Sequence, residues 1–139
     1  MLAAIRRFAD RLAETPTTFH WLRKVPEANY RATKQRIATV RNALDHPRVL
    51  DLGCGTAEYA ELFDPARYLG VDVHPGYIAF AQHRRPQHRF LVADVRSWDG
   101  GGRFDLVLVN GVLHHLDDKD VQQFLRTADR LTAPVARCS

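Results

Sequence analysis

Cysteine is scarce in this 139-residue chain: there are two, Cys54 in a glycine-rich segment and Cys138 near the C-terminus. One pair so placed provides neither the spacing of a metal site nor a disulfide framework, so both are expected as free thiols and no metal is expected. Long apolar runs are missing as well. No stretch approaches the roughly 18 consecutive apolar residues of a membrane span, and the first residues lack the apolar core of a secretory signal. The chain therefore reads as cytoplasmic. Aromatic residues make up only 9% of the sequence and do not alternate with basic ones, which removes the usual signature of base stacking. No nucleic-acid partner is expected. Solenoid repeats and low-complexity segments are absent too.

What is present suits one globular unit, because 45% hydrophobic residues in a chain of this length can build a core. The net charge of +4 is unevenly distributed: residues 1–48 carry ten Lys/Arg against four Asp/Glu, and the remainder ten against twelve. A basic front can attract anionic partners, yet solvated helix faces explain the same charges.

Apolar residues at helical spacing predict an amphipathic helix over residues 2–13, through Leu2, Ile5, Phe8, Ala9 and Leu12. A short helical segment follows around Phe19 to Val25. Pro26 then opens a helix running to about Leu44, with Tyr30, Ile37, Val40 and Leu44 as its buried stripe. Residues 1–47 thus read as a helical cap and residues 48–139 as the main unit.

From residue 48 the pattern changes to short apolar runs alternating with helical stretches, the form of repeated βα units and a parallel sheet. Strands are expected at Val49–Leu52, Tyr68–Val73, Arg89–Ala93 and Phe104–Asn110, and helices at about 56–63, 76–84 and 118–131. The last would bury Val121, Phe124, Leu125, Ala128 and Leu131, with Asp117 or Asp118 as its cap. Gly100-Gly101-Gly102 reads as a plain surface turn.

Val49-Leu50-Asp51-Leu52-Gly53-Cys54-Gly55-Thr56-Ala57 compresses a buried strand, a tight glycine turn and a helix start into nine residues. Glycine permits a sharp turn and close ligand approach, and a helix start presents unpaired N–H groups. Gly-x-Gly alone is weak, but three features follow in order. Asp72 ends the second strand, where a carboxylate can accept from both ribose hydroxyls, and Asp94 ends the third, where one can receive an adenine amino group. Asn110-Gly111 ends the fourth. All four lie at carboxyl ends of consecutive parallel strands, where open α/β sheets bind ligands. Cys54 reads as a small buried loop residue rather than a nucleophile.

With that order and spacing, residues 49–131 resemble the class I S-adenosylmethionine-dependent methyltransferases: VLDLGCGTAEYA, YLGVDVHP, FLVADV and FDLVLVNGVLHHL look like their motifs I to IV. The resemblance implies a Rossmann-like, doubly wound α/β fold with helices on both faces, and S-adenosylmethionine as cofactor. By position it implies that Gly53 and Gly55 line the methionine part while Asp51 supports the loop. It further implies that Asp72, with Val73 beside it, holds the ribose, that Asp94 and the backbone of Val95 recognise the adenine, and that the backbone near Asn110 meets the cofactor's amino group. Ala57 departs from the pattern, standing where the family often has a third glycine.

A sulfonium cofactor carries its own leaving group, so alignment of an acceptor and exclusion of water matter more than acid–base help. His114 and His115, after the fourth strand, are the candidate bases, and packing at a helix start is the alternative reading of the pair. Asn110-Gly111-Val112-Leu113 differs from the Asn/Asp-Pro-Pro-aromatic motif of enzymes that methylate DNA or protein amides, so the resemblance points to a small-molecule acceptor. Phe19, Trp21, Tyr30 and Arg31 would help the cap cover the cofactor.

In this family further strands complete the sheet after the fourth, whereas here the sequence stops eight residues after Leu131. A truncated sheet is therefore expected. Its exposed fourth strand would favour self-association or a covering partner chain. Two rivals remain. A nicotinamide-binding oxidoreductase shares the cradle, but Glu58 occupies the third glycine position of its fingerprint. A non-catalytic cofactor-binding module fits the truncation.

Overall fold

The computed structural model describes residues 27–110, 112–113 and 116–134. Helix α1 spans Glu27–Asn42, strand β1 Val49–Leu52, strand β2 Tyr68–Asp72, helix α2 Pro75–Arg84, strand β3 Arg89–Val92, strand β4 Leu106–Val109 and helix α3 Asp118–Leu131. The strands form one parallel sheet in the order β3-β2-β1-β4.

Side chains alternate across a strand, and here both faces are apolar. Val49, Tyr68, Leu106 and Leu108 meet Ile37 of α1, Ala81 of α2 and the Ala57–Phe63 segment in one cluster. Leu50, Leu52, Val71, Val107 and Val109 meet Phe124, Ala128 and Leu131 of α3 in the other. Helices therefore cover both faces, which makes the sheet doubly wound. Every β1 residue is buried.

Four expectations are corrected. The helix expected over 56–63 is instead a run of turns closing in a 3-10 turn at Ala60–Leu62. Ala57 sits at φ +58°, which an α-helix does not allow, and side chains from elsewhere bond the segment's carbonyls. Arg85 Nε donates to Ala57 O at 3.2 Å, Arg41 Nη1 donates to Leu62 O at 2.7 Å, and His88 Nε2 lies 2.9 Å from Ala60 O.

The buried stripe of α1 is the second correction. Ile37 is buried, but Val40 and Leu44 are 49% and 37% exposed. The helix ends at Asn42, before Leu44, and Arg41 takes the inward reach to Leu62. Phe19 and Trp21 lie outside the described residues, as does the side chain of Tyr30. In α3, Leu125 is exposed and Thr127 is buried in its stead. The inward face follows the i, i+3, i+4, i+7 set Phe124, Thr127, Ala128, Leu131, and Leu125 lies about 100° round from Phe124.

Gly100 is the fourth. It is buried against Leu131, so closely that a Cβ there would stand 2.1 Å from Leu131 Cδ2. Gly100 alone packs under α3, while Gly101 and Gly102 are exposed as a surface turn. Beyond α3, Ala133 N donates to Phe104 O at 2.7 Å and Thr132 forms a parallel bridge with Phe104. Among the described residues no strand pairs with the outer edge of Leu106–Val109.

Candidate functional site

The turn after β1 is held by β2. Gly53 N and Cys54 N both donate to Val71 O, at 2.8 and 3.1 Å, and Gly53 and Gly55 take φ values of +71° and +54°. Glycine is suited to that left-handed backbone. A Cβ at Gly53 would also meet Val112 at 2.9 Å, so the segment after β4 lies directly against the turn.

Asp72 completes the turn from the carboxyl end of β2. Its Oδ2 accepts the Gly55 N–H at 2.9 Å and its Oδ1 accepts the His74 N–H at 2.9 Å, while the residue is 7% exposed. Asp51 is 3% exposed and accepts the Tyr68 hydroxyl at 2.7 Å. Burial, then the charges of Asp51 and Asp72, push the Cys54 thiol well above its usual range, so it stays protonated and unreactive at neutral pH.

Asp94 lies just beyond β3, next to buried Val95, and is gripped by Arg96. Val73 is 53% exposed, beside Asp72. Asn110, following β4, donates from Nδ2 to the Tyr59 hydroxyl at 2.9 Å and so links the fourth strand end to the segment after the glycine turn. Gly53, Gly55, Asp72, Val73, Asp94, Val95 and Asn110 thus share the carboxyl end of the sheet. His114 and His115 lie outside the described residues.

Tyr59 and Arg96 were not anticipated from sequence. Arg96 offered a faint signal, a donor two residues after an aspartate, the spacing of an Asx turn. Tyr59 offered none. An open groove of about 510 Å³, lined by Asn42, His46, Pro47, Asp64 and Arg67 among others, lies at the opposite end, where the chain enters β1 and β2. It has no part in this constellation. Among the described residues no group of His, Cys, Asp and Glu is placed to hold a metal ion, and no helix is long and apolar enough to cross a membrane.

A doubly wound parallel sheet, with a glycine turn after its first strand and a carboxylate closing that turn from the second, defines a Rossmann-like nucleotide-binding architecture. The chain belongs to the methyltransferase-domain family, whose model matches residues 49–135. It is 37% identical over 83 residues to trans-aconitate 2-methyltransferase of Methylobacterium radiotolerans, covering 56% of this chain and 32% of that protein. The Escherichia coli O1:K1 enzyme of the same name is 36% identical over 74 residues, covering 50% of this chain and 29% of that protein. The chain spans about a third of the length of these curated relatives.

Among solved structures, CalS10, an amino pentose methyltransferase of Micromonospora echinaspora with S-adenosylmethionine bound, superposes with a TM-score of 0.64 at 28% identity. The match covers 79% of this chain and 52% of that one. The N-methyltransferase NodS of Bradyrhizobium japonicum, in complex with S-adenosylhomocysteine, shares the fold with a TM-score of 0.67 at 21% identity, covering 81% and 61%.

Proposed function

We propose that this chain forms the cofactor-binding part of an S-adenosylmethionine-dependent methyltransferase acting on a small-molecule acceptor. The observation that carries the reading is Asp72, a buried carboxylate at the carboxyl end of β2 that closes a left-handed glycine turn. Its chemistry fits a nucleoside. A carboxylate offers about four acceptor positions, and two backbone N–H groups occupy one on each oxygen, which leaves one on each for the two hydroxyls of a ribose.

The other roles follow from position. Gly53 and Gly55 keep the turn free of side chains for the methionine part, and Asp51 stiffens β1 beneath it through Tyr68. Val73, half-exposed, covers an apolar ring face beside the ribose. Asp94 and Val95 receive the adenine. Asn110 turns its side chain to Tyr59 and leaves its backbone for the amino group.

S-adenosylmethionine, when bound, supplies the methyl group together with its leaving group. The protein's work is then to orient the acceptor, exclude water and, if the acceptor holds a proton, take it up at His114 or His115. A small polyfunctional acceptor is supported by the names of the relatives, one acting on trans-aconitate and another on an amino pentose.

The test is S-adenosylhomocysteine production from S-adenosylmethionine across a panel of small carboxylic acids and amino sugars, run with His114→Ala and His115→Ala. Acceptor-dependent product supports the reading, and a fall of about 100-fold in either variant assigns the base. Production independent of every acceptor contradicts the assignment of a small-molecule acceptor, and unchanged turnover in both variants removes the catalytic role of the histidines.

A further inference from the structure

Asp94 is not a loose carboxylate. Arg96 reaches it three ways: its backbone N–H donates to Oδ1 at 3.0 Å, Nε donates to Oδ1 at 2.9 Å, and Nη2 donates to Oδ2 at 2.7 Å. A longer contact from Nε to Oδ2 measures 3.2 Å. The remaining terminal nitrogen, Nη1, donates to Asp120 Oδ2 at 2.6 Å in the first turn of α3. The backbone of Arg96 is anchored there too, because Gln123 Nε2 donates to its carbonyl at 3.2 Å. The Asp94 carbonyl accepts the N–H groups of Ser97 and Trp98, at 3.1 and 3.0 Å, so main chain and side chain are both fixed.

The acceptor count then becomes specific. Oδ1 has two donors of its own and is filled, whereas Oδ2 has one, plus the long leg of a bond that Nε makes chiefly to Oδ1. One acceptor position stays open on a carboxylate that these hydrogen bonds orient. Hydrogen bonds from Arg96 hold Asp94 below the usual carboxylate range, so at neutral pH it accepts and does not donate. Two carboxylates around one guanidinium leave the group with a net negative charge, which preserves its pull on a donor. Planar bidentate geometry is what arginine provides and lysine does not.

We infer that Arg96 is a positioning residue for nucleobase selectivity, aiming the one free acceptor of Asp94 so that it admits an amino group at the six-position of a purine and rejects a keto oxygen. This rests on the proposed function and adds a residue and a criterion to it. Arg96 acts through Asp94 and not on the ligand itself. Its anchorage on Asp120 and Gln123 ties the same selectivity to the start of α3, the helix that follows β4.

The test compares binding of S-adenosylhomocysteine and its six-keto analogue, S-inosylhomocysteine, to the full chain by calorimetric titration. The unaltered chain is expected to favour the amino form by roughly tenfold or more, the scale of a hydrogen bond to a charged acceptor. Arg96→Ala is expected to shrink that ratio to roughly threefold or less. Thermal stability should change little, because half-exposed ion pairs contribute little to folding. Arg96→Lys keeps the charge and loses the fork, and should fall between. A merely structural arginine would weaken both ligands alike and leave the ratio intact, and that result in a folded Arg96→Ala variant overturns the inference alone. Failure of the folded, unaltered chain to bind either ligand overturns the proposed function and this inference together.

Discussion

The Tyr68 hydroxyl donates to Asp51 Oδ2 at 2.7 Å inside the sheet, between two residues that are 1% and 3% exposed. Val49 pairs with Tyr68 and Asp51 with Gly70, so the bond runs diagonally across one face and locks β1 to β2 directly beneath the glycine turn. Tyr68→Phe removes it and should cost about 2 kcal/mol, the scale of a hydrogen bond to a charged group, measured by urea unfolding. Burial, then Asp51, raise the Tyr68 pKa well above its ordinary value. A raised acid contributes stability that is whole below the unfolded tyrosine pKa of about 10 and is lost as pH rises toward the folded value. The gap between the two proteins should be constant through neutral pH and shrink above about pH 10. A gap that widens there would contradict the assignment.

Ala57 holds a left-handed backbone, and its methyl is fully buried. Ala57→Gly relieves about 1–2 kcal/mol of strain. Against this stand about 0.8 kcal/mol of lost methyl burial and about 0.5–1 kcal/mol of backbone entropy. The terms nearly cancel, so the variant should match the parent within about 0.5 kcal/mol. Ala81→Gly, equally buried but inside α2, has no strain to relieve and should lose about 2 kcal/mol. Equal losses at the two positions would show that Ala57 is unstrained.

Gly100 and Gly101 separate packing from backbone. Both take positive φ, at +84° and +56°, but a Cβ at Gly101 meets nothing within 4 Å whereas one at Gly100 strikes Leu131. Gly101→Ala should cost about 1 kcal/mol from strain alone. Gly100→Ala adds the displacement of a buried leucine and should cost about 2–4 kcal/mol in the same unfolding assay. Similar values for the two would mean that Gly100 does not pack under α3.

These contrasts mark what could be read before the structure. β1 appears in the sequence with its observed ends, and α3 likewise, because a short apolar run and the 3.6-residue period are local signals. The segment after Gly55 could not be read. Its helical pattern is overridden by Arg41, Arg85 and His88, which arrive from 21 to 28 residues away in sequence to take its carbonyls. Gly100 against Leu131 and Arg96 against Asp120 are likewise pairings across 31 and 24 positions, invisible to any local window. In the candidate site, Asp72 and the two glycines stood out because turn chemistry and strand ends are local. The links from Arg96 to Asp94 and from Tyr59 to Asn110 depend on side-chain reach, which only the folded chain displays.

The proposed role of the Asp72 turn as a nucleoside cradle is open to titration of the chain with S-adenosylhomocysteine. Asp72→Asn keeps an acceptor for one of the two backbone N–H groups, Gly55 or His74, and turns its amide NH2 toward the other, so the variant is compared once circular dichroism shows it folded, and its binding should fall. The unaltered chain should bind, and Asp72→Asn should lose affinity by roughly tenfold or more. Binding of equal strength in the folded variant, or none by the folded parent, would contradict it.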